Sequence, residues 1–576
     1  MKKLKQTGVR MKESLFKNFR SATLNFIFII LFVNVFQTVF GMENSIVGVI
    51  FTIMMSASMV RDLTAAPVKH LCIQTAVLFL MTCAACLVAN APPLLALPVN
   101  FAMLFLILYA FTYEYTSHLY FPYILSYLFL VFISPVTPGQ LPKRLLGVFA
   151  GAVSIILYQL VKGRKRIACT ARDVLSSMIE HAEGCISCLL AGKGVPHSPD
   201  QLRAELCKLS KAVYDRRKKM LCISDAGFAM VDTGRGLENL VLLLYELEGP
   251  VTPQRAEMLR YISGCLSSFQ AFVKGEAAGI PPLCREAFEA EDSARAGQFY
   301  QCLLYIQTHI LQMAQPENKR RYRKTLLSLS VRLKAAFRVS PVRAVYALRV
   351  SCLLAACTLL VQMLGLPHGK WLLFTVASVS LPYADDVGAK AKKRMLATFI
   401  GGLCSILIFS LIPSSTGRTV VMMLSGYLSF YFTNYSATFA CSTVGALGGA
   451  VFMGAFGWGA VGAMTAIRFG YVIAGVLIAL FFNLVCFPFK REKATRQLFQ
   501  KYLSTVKLLT RVCQKKCDDS QLYYGLVIQA HLLEDKLGQN IQDLNWEGAK
   551  DLLKKCREAI RAAHRQPYLN SAQALF

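Results

Sequence analysis

The chain is 576 residues long, 55% of them hydrophobic, and its formal charge is +30. That length allows several domains, and so apolar a composition exceeds what soluble cores bury, which excludes a wholly water-borne protein. The charge comes without a zinc-finger, RNP or other nucleic-acid signature, so it reads as a membrane-topology signal and nucleic acid is not an expected partner.

In chain order, residues 1–20 form a basic amphipathic segment in which Leu4, Met11, Leu15, Phe16 and Phe19 share one helical face opposite lysines and arginines. An interfacial helix on anionic lipid and a frayed basic tail both account for it. The segment is too charged, and the apolar run after it too long, for a cleavable signal peptide, so that run is expected to remain as a span. Residues 21–161 hold six apolar runs, near 21–41, 45–60, 70–90, 94–112, 120–134 and 143–161. Each is of roughly the length a helix needs to cross about 30 Å of hydrocarbon. Residues 162–342 have soluble composition and read as amphipathic helices of a cytoplasmic domain, with Ser198-Pro-Asp-Gln201 as a capping-box start and Pro281-Pro282 as a break. A second apolar block, 343–489, repeats the six runs near 343–364, 370–382, 395–412, 418–432, 435–456 and 463–487. The tail, 490–576, returns to amphipathic periodicity and is expected to pack on the first soluble region. The expected fold is therefore all-α: two parallel six-helix transmembrane halves, each followed by a cytoplasmic helical region.

Basic residues support that topology. Lys2, Lys3, Lys5, Arg10, Lys12, Lys17 and Arg20 precede the first run, and Lys162, Arg164, Lys165 and Arg166 follow the sixth. Arg61, Lys69 and the cluster Lys390, Lys392, Lys393 and Arg394 then fall in cytoplasmic loops, and both termini are expected in the cytoplasm of a bacterial inner membrane protein. The two blocks superpose at an offset of 324 residues, which sets Arg468 on Arg144, Gly475 on Gly151, Gly365 on Gly41 and Lys393 on Lys69. Two even-numbered copies starting on one side share an orientation, so the symmetry axis should run along the membrane normal.

From Ser340 the chain reads SPVRAVYALRVSCLLA, then LGLPHGKWLLFTVASVSLPYADD, then AKKRMLATFIGG. This text resembles the fusaric-acid-resistance and aromatic-acid-exporter family in Arg349, the Leu366-Pro367-His368-Gly369-x-Trp371 run, Thr375-Val376, Pro382-Tyr383, and Arg394, Thr398 and Gly401. The resemblance is dense over about 60 residues and more distantly extends to aluminium-activated malate transporter type anion channels. It implies export of organic, often aromatic, carboxylic acids. The first half departs from the motif, with Asn25, Ser58 and Gln74 at the positions of Arg349, Pro382 and Thr398, so binding is expected to be asymmetric.

A charged side chain inside a span costs about 2.5–3.5 kcal/mol on insertion scales, so each one asks for a reason. Arg349 either snorkels to the surface or pairs with an anion or with Asp385 or Asp386; its forked, always-charged guanidinium suits a carboxylate. Arg144 and Arg468 either anchor at the outer interface or line an exit path, and Arg394 either sets topology or gathers anions. Trp371 and Thr375, one turn apart, offer a ring and a hydroxyl to an aromatic acid, although a tryptophan anchored at the interface fits as well. Pro382 ends a short span and frees backbone groups, and Thr398 completes the motif. Asp385, Asp386 and His368 are the candidates for proton coupling.

The nineteen cysteines form no outer-loop framework and are expected to be reduced. His181, Cys185 and Cys188 share a face, yet a structural zinc needs a fourth ligand, so no metal and no cofactor is expected. Without a Gly-x4-Gly-Lys-Ser/Thr loop, the leading expectation is a secondary transporter of organic anions, not an enzyme. A passive anion channel and a membrane-anchored cytoplasmic scaffold or sensor are the rivals. The partners expected are the lipid bilayer and a small organic anion, with a homodimer left open.

Overall fold

The computed structural model describes residues 2–58, 67–112, 119–163, 166–195, 199–215, 224–247, 251–289, 294–314, 340–412, 414–432, 434–452, 458–514 and 520–573. All regular structure among them is helical. The chain folds into two compact units. The first gathers α1 (Lys2–Phe40), α2 (Ser45–Ser58), α3 (Pro67–Asn90), α4 (Pro93–Phe111), α5 (Tyr120–Phe132) and α6 (Leu141–Gly163) with α13 (Pro341–Met363), α14 (Lys370–Val379), α15 (Ala384–Leu411), α16 (Ser415–Leu428), α17 (Tyr435–Phe452) and α18 (Trp458–Phe481). The second gathers α7 (Arg166–Leu190), α8 (Pro199–Asp215), α9 (Asp225–Tyr245), α10 (Pro253–Lys274), α11 (Glu286–Glu289) and α12 (Ala294–Ala314) with most of α19 (Arg491–Gln514), α20 (Ser520–Leu544) and α21 (Glu547–Gln573).

Among the described residues of the first unit seven helices are long and apolar enough to cross a bilayer, and α2, α5 and α14 are shorter apolar helices. Leu24, Leu31, Val35, Leu87, Leu95, Phe399, Leu407 and Leu477 stay exposed on their outer faces, the signature of helices whose solvent is lipid. Each of the six-run blocks supplies six helices in the expected order, and both lie in this one unit. They interlock through α4 and α13, with Arg343 Nε donating to Tyr109 O (3.0 Å) and Gln362 Nε2 to Val88 O (3.0 Å). The reciprocal pair meets where Thr23 Oγ1 reaches the Tyr427 hydroxyl at 2.8 Å.

The duplication is visible in local geometry. Gly41 (φ +88°) and Gly365 (φ +55°), 324 apart, both turn the chain in the left-handed region that favours glycine. A Cβ on Gly151 would overlap Phe51, and one on Gly475 would press on Leu372 O and Thr375; Phe51 and Thr375 are themselves 324 apart.

Two expectations change. Residues 2–40 form one uninterrupted helix, so the basic segment continues directly into the first span; the side chains of 1–18 lie outside the described residues. The cluster Lys390–Arg394 was expected in a loop, whereas α14 stops at Val379 and α15 starts at Ala384, taking the cluster into its first three turns. The physical reason is local. Pro382 lacks an N–H and cannot continue α14, while Asp385 and Asp386 in the first turn of α15 complement its positive end.

The second unit is a soluble-type bundle. Met178, Ile179 and Ala182 of α7, Leu240, Val241 and Leu244 of α9, Leu259, Ile262 and Leu266 of α10, and Leu303, Ile306 and Ile310 of α12 meet in one core at helical spacing. Ser224 Oγ accepts from Gly227 N at 3.1 Å and Thr252 Oγ1 from Arg255 N at 3.2 Å, which fixes the starts of α9 and α10. The tail joins this bundle: Phe228 stacks on Tyr524 at 3.8 Å, and Arg203 of α8 bonds Glu534 of α20 at 2.6 and 2.8 Å. Ser198 falls outside the described residues, and α8 starts at Pro199.

Candidate functional site

The buried arginines of the membrane unit divide into two kinds by what their N–H groups meet. Arg349, 1% exposed on α13, donates to the carbonyls of Leu381, Pro382 (3.2 Å) and Phe487 (3.3 Å). Those carbonyls belong to the extended segment that follows α14 and to the end of a π-helical turn, Phe482–Cys486, that closes α18. Backbone left unpaired at membrane depth is costly, and Arg349 satisfies it at both helix ends, helped by Tyr346, whose hydroxyl donates to Ser380 O at 3.0 Å. Asp385 and Asp386 are not its partners. Arg491 takes both, its guanidinium Nη2 holding Asp386 at 2.7 Å to each oxygen and its backbone N–H reaching Asp385 Oδ2 at 2.8 Å.

Arg144 is of the same kind. Its Nη2 donates to Glu43 O and Ser134 Oγ, both at 2.9 Å, and its Nη1 to Ser134 O at 3.3 Å. It ties the end of α5 to the turn before α2.

Arg394 and Arg468 are the other kind. Nε is unpartnered in all four arginines, but Arg394 (4% exposed) and Arg468 (6% exposed) reach no backbone carbonyl among the described residues, and Arg468 Nη1 is unpartnered as well. No carboxylate among the described residues pairs with either, and the two guanidiniums are near enough to act on each other electrostatically. Each sits ten residues into its helix, α15 or α18. At 1.5 Å per residue that is about 15 Å from the helix start. Two buried cations without an acid partner are costly unless a negative group joins them.

Aromatic faces close in on them. The Arg468 guanidinium lies over the Trp371 ring at 5.0 Å, and that ring stacks on His368 at 4.9 Å. Arg394 lies over Phe439 at 4.4 Å, and Lys390, one turn earlier, places Nζ 3.5 Å from the centre of the Tyr435 ring. Trp371 is thus buried inside the unit. Thr375 and Ser378 continue its helix face, but their hydroxyls return to the backbone, Thr375 to Trp371 O (2.8 Å) and Ser378 to Thr375 O (3.0 Å). Thr398 does the same with Arg394 O at 3.0 Å. The Arg394, Thr398, Gly401 spacing puts all three on the face of α15 that meets α17, where a Cβ on Gly401 would fall 2.6 Å from Ala440 O.

Of the eight expected site residues, Trp371, Arg394 and Arg468 come together directly, with Thr375 and Thr398 beside them, while Arg349, Pro382 and Arg144 belong to backbone clamps. His368 reaches the edge of the group. Lys390, Tyr435 and Phe439 join it, and sequence reading missed the two aromatics; their i, i+4 spacing opposite Lys390 and Arg394 was the available signal. At the 324-residue offset the first half has Val47, Phe51, His70 and Gln74 where this site has Trp371, Thr375, Arg394 and Thr398. Val47 and Phe51 are each 1% exposed, so apolar packing stands where Trp371 and Thr375 stand in the second half.

The described helices and this buried cationic cluster define an integral, multi-pass α-helical membrane protein with its polar centre in the second half. Residues 354–482, which include Trp371, Arg394 and Arg468, match the family described as fusaric acid resistance protein-like, in keeping with the resemblance in that stretch. The chain is also similar to inner membrane protein YccS of Escherichia coli (strain K12), 30% identical over 89 residues. That similarity covers 16% of this chain and 12% of the relative's length. No solved structure matches the chain significantly.

Proposed function

We propose that the chain is a secondary transporter of the bacterial inner membrane that exports organic, chiefly aromatic, carboxylate anions, with both termini in the cytoplasm. The observation that carries this reading is the pair of buried guanidiniums, Arg394 and Arg468, which, unlike Arg144 and Arg349, meet no backbone carbonyl and no acid among the described residues. A carboxylate supplies what they lack: a negative charge and two acceptor oxygens matched to a guanidinium fork. Trp371 and Phe439 lie against the same guanidiniums and offer faces to an aromatic ring. Arg349 holds the ends of α14 and α18, two of the helices that carry the site.

Of the coupling candidates, Asp385 and Asp386 are engaged by Arg491, and His368, stacked on Trp371, is the one joined to the site. In proteoliposomes, benzoate is expected to accumulate against its gradient when a pH difference is imposed, and Arg468→Gln is expected to abolish that uptake. Flux that only ever dissipates a benzoate gradient makes the protein a passive anion channel. Flux that survives Arg394→Gln and Arg468→Gln together removes the site from the pathway.

A further inference from the structure

The soluble bundle has a cavity of about 180 Å³ between α9, α12 and α21, closed at its base by residues of α8 and α20. Its charged wall is an ordered network. Arg203, 7% exposed, donates to Glu534 through Nε and Nη2 and to Glu238 through Nη1 at 3.0 Å. Arg557 also bonds Glu534, and Arg561 reaches Glu238 at 3.3 Å. Three guanidiniums therefore share two buried carboxylates, and the further acid on Arg557, Asp200, is 91% exposed at 3.4 Å. The balance at the cavity is positive. Leu242, Leu243 and Ile560 add apolar surface to the lining, alongside Asn239, Gln298 and Gln301.

We infer that this cavity is a second binding site, in the soluble unit, for a small organic carboxylate with a compact apolar body. The carboxylate is received by Arg561 and Arg557, the two outermost guanidiniums, and the body lies on Leu242, Leu243 and Ile560. The size fits, since a cavity of about 150 Å³ is enough for a benzene ring. Mixed apolar walls with a few convergent polar groups are what small-molecule sites are made of. The inference stands on the soluble unit alone and does not depend on the membrane site.

The test is equilibrium binding of radiolabelled benzoate to the full chain in lipid nanodiscs. The wild type is expected to bind two benzoates per chain, and the Arg394→Gln/Arg468→Gln variant one. On that background Arg561→Gln is expected to weaken the remaining site about tenfold, as loss of one charge-assisted hydrogen bond does. Gln301→Trp, an exposed rim position that needs no repacking of the core, is expected to abolish it. Acetate and inorganic phosphate should compete more weakly than benzoate. The inference is overturned if the double variant, with its thermal transition intact, binds no benzoate, or if phosphate displaces benzoate as well as benzoate itself does. If wild type and double variant both bind one benzoate and Gln301→Trp removes it, the soluble site stands and the membrane site falls.

Discussion

Replacing Arg468 by glutamine separates binding from stability, because the two effects have opposite signs. In the free protein Nε and Nη1 of Arg468 are buried without partners, and Arg394 is a second cation close by. Removing the charge relieves repulsion and desolvation, so the ligand-free protein should melt at the same temperature or higher. Binding should fall steeply. Two N–H groups meeting a carboxylate contribute about 1.5–3 kcal/mol each, together about 3–6 kcal/mol, which is roughly 10²- to 10⁴-fold in Kd at 1.4 kcal/mol per decade. The assay is thermal unfolding of nanodisc-embedded protein with and without benzoate, beside direct binding, read on the Gln301→Trp background to silence the soluble cavity. A variant that melts lower without ligand and binds benzoate as tightly as its parent would refute the reasoning, since Arg468 would then be a structural clamp like Arg144.

Arg349→Met should do the reverse of Arg468→Gln. It strips three carbonyls of their donor at membrane depth, at about 1–3 kcal/mol for each group left unsatisfied, so a clear drop in melting temperature is expected before any ligand is added. Gly401→Leu should separate α15 from α17, because its Cβ alone would already crowd Ala440 O, and size-exclusion profiles should show the loss. In the soluble unit, Glu534→Gln leaves three guanidiniums, Arg203, Arg557 and Arg561, with Glu238 as their one buried carboxylate and should destabilise by about 3 kcal/mol, read as early loss of the soluble unit in proteolysis. Acid should weaken the same unit in two stages. Burial first, and then Arg203 and Arg235, hold His531 well below its ordinary value of 6.5, so its contribution is complete above that pH and is lost as pH falls. Burial opposes ionisation of Glu534 most strongly, but Arg203 and Arg557 outweigh it and keep the carboxyl below its ordinary value of 4.5, so its contribution disappears at lower pH still. His531→Asn, which can keep a bond to Ser210, should flatten the first stage and leave the second.

Much of the architecture was legible in the sequence, because lipid imposes a one-dimensional rule. A span must be helical and apolar for a fixed length, so hydropathy alone located the helices, and the duplicated Gly41 and Gly365 carried their shared turn in a single residue type. The motif Arg394-x3-Thr398-x2-Gly401 likewise announced a helix face, since 3.6-residue periodicity places those three together wherever the helix goes. What no one-dimensional pattern could decide was the role of each arginine. Arg349 and Arg468 stand alone in apolar text while Arg144 and Arg394 border other basic residues, and neither setting tells a clamp from a binding group. The four differ in whether a neighbouring helix delivers free carbonyls to them, as the ends of α5 and α14 do for Arg144 and Arg349, or an aromatic face and another cation, as α14, α15 and α17 do for Arg394 and Arg468. A guanidinium has five donors and no preference for where its acceptors come from along the chain, so the choice between clamp and binding group is made by packing over distances that sequence spacing does not encode.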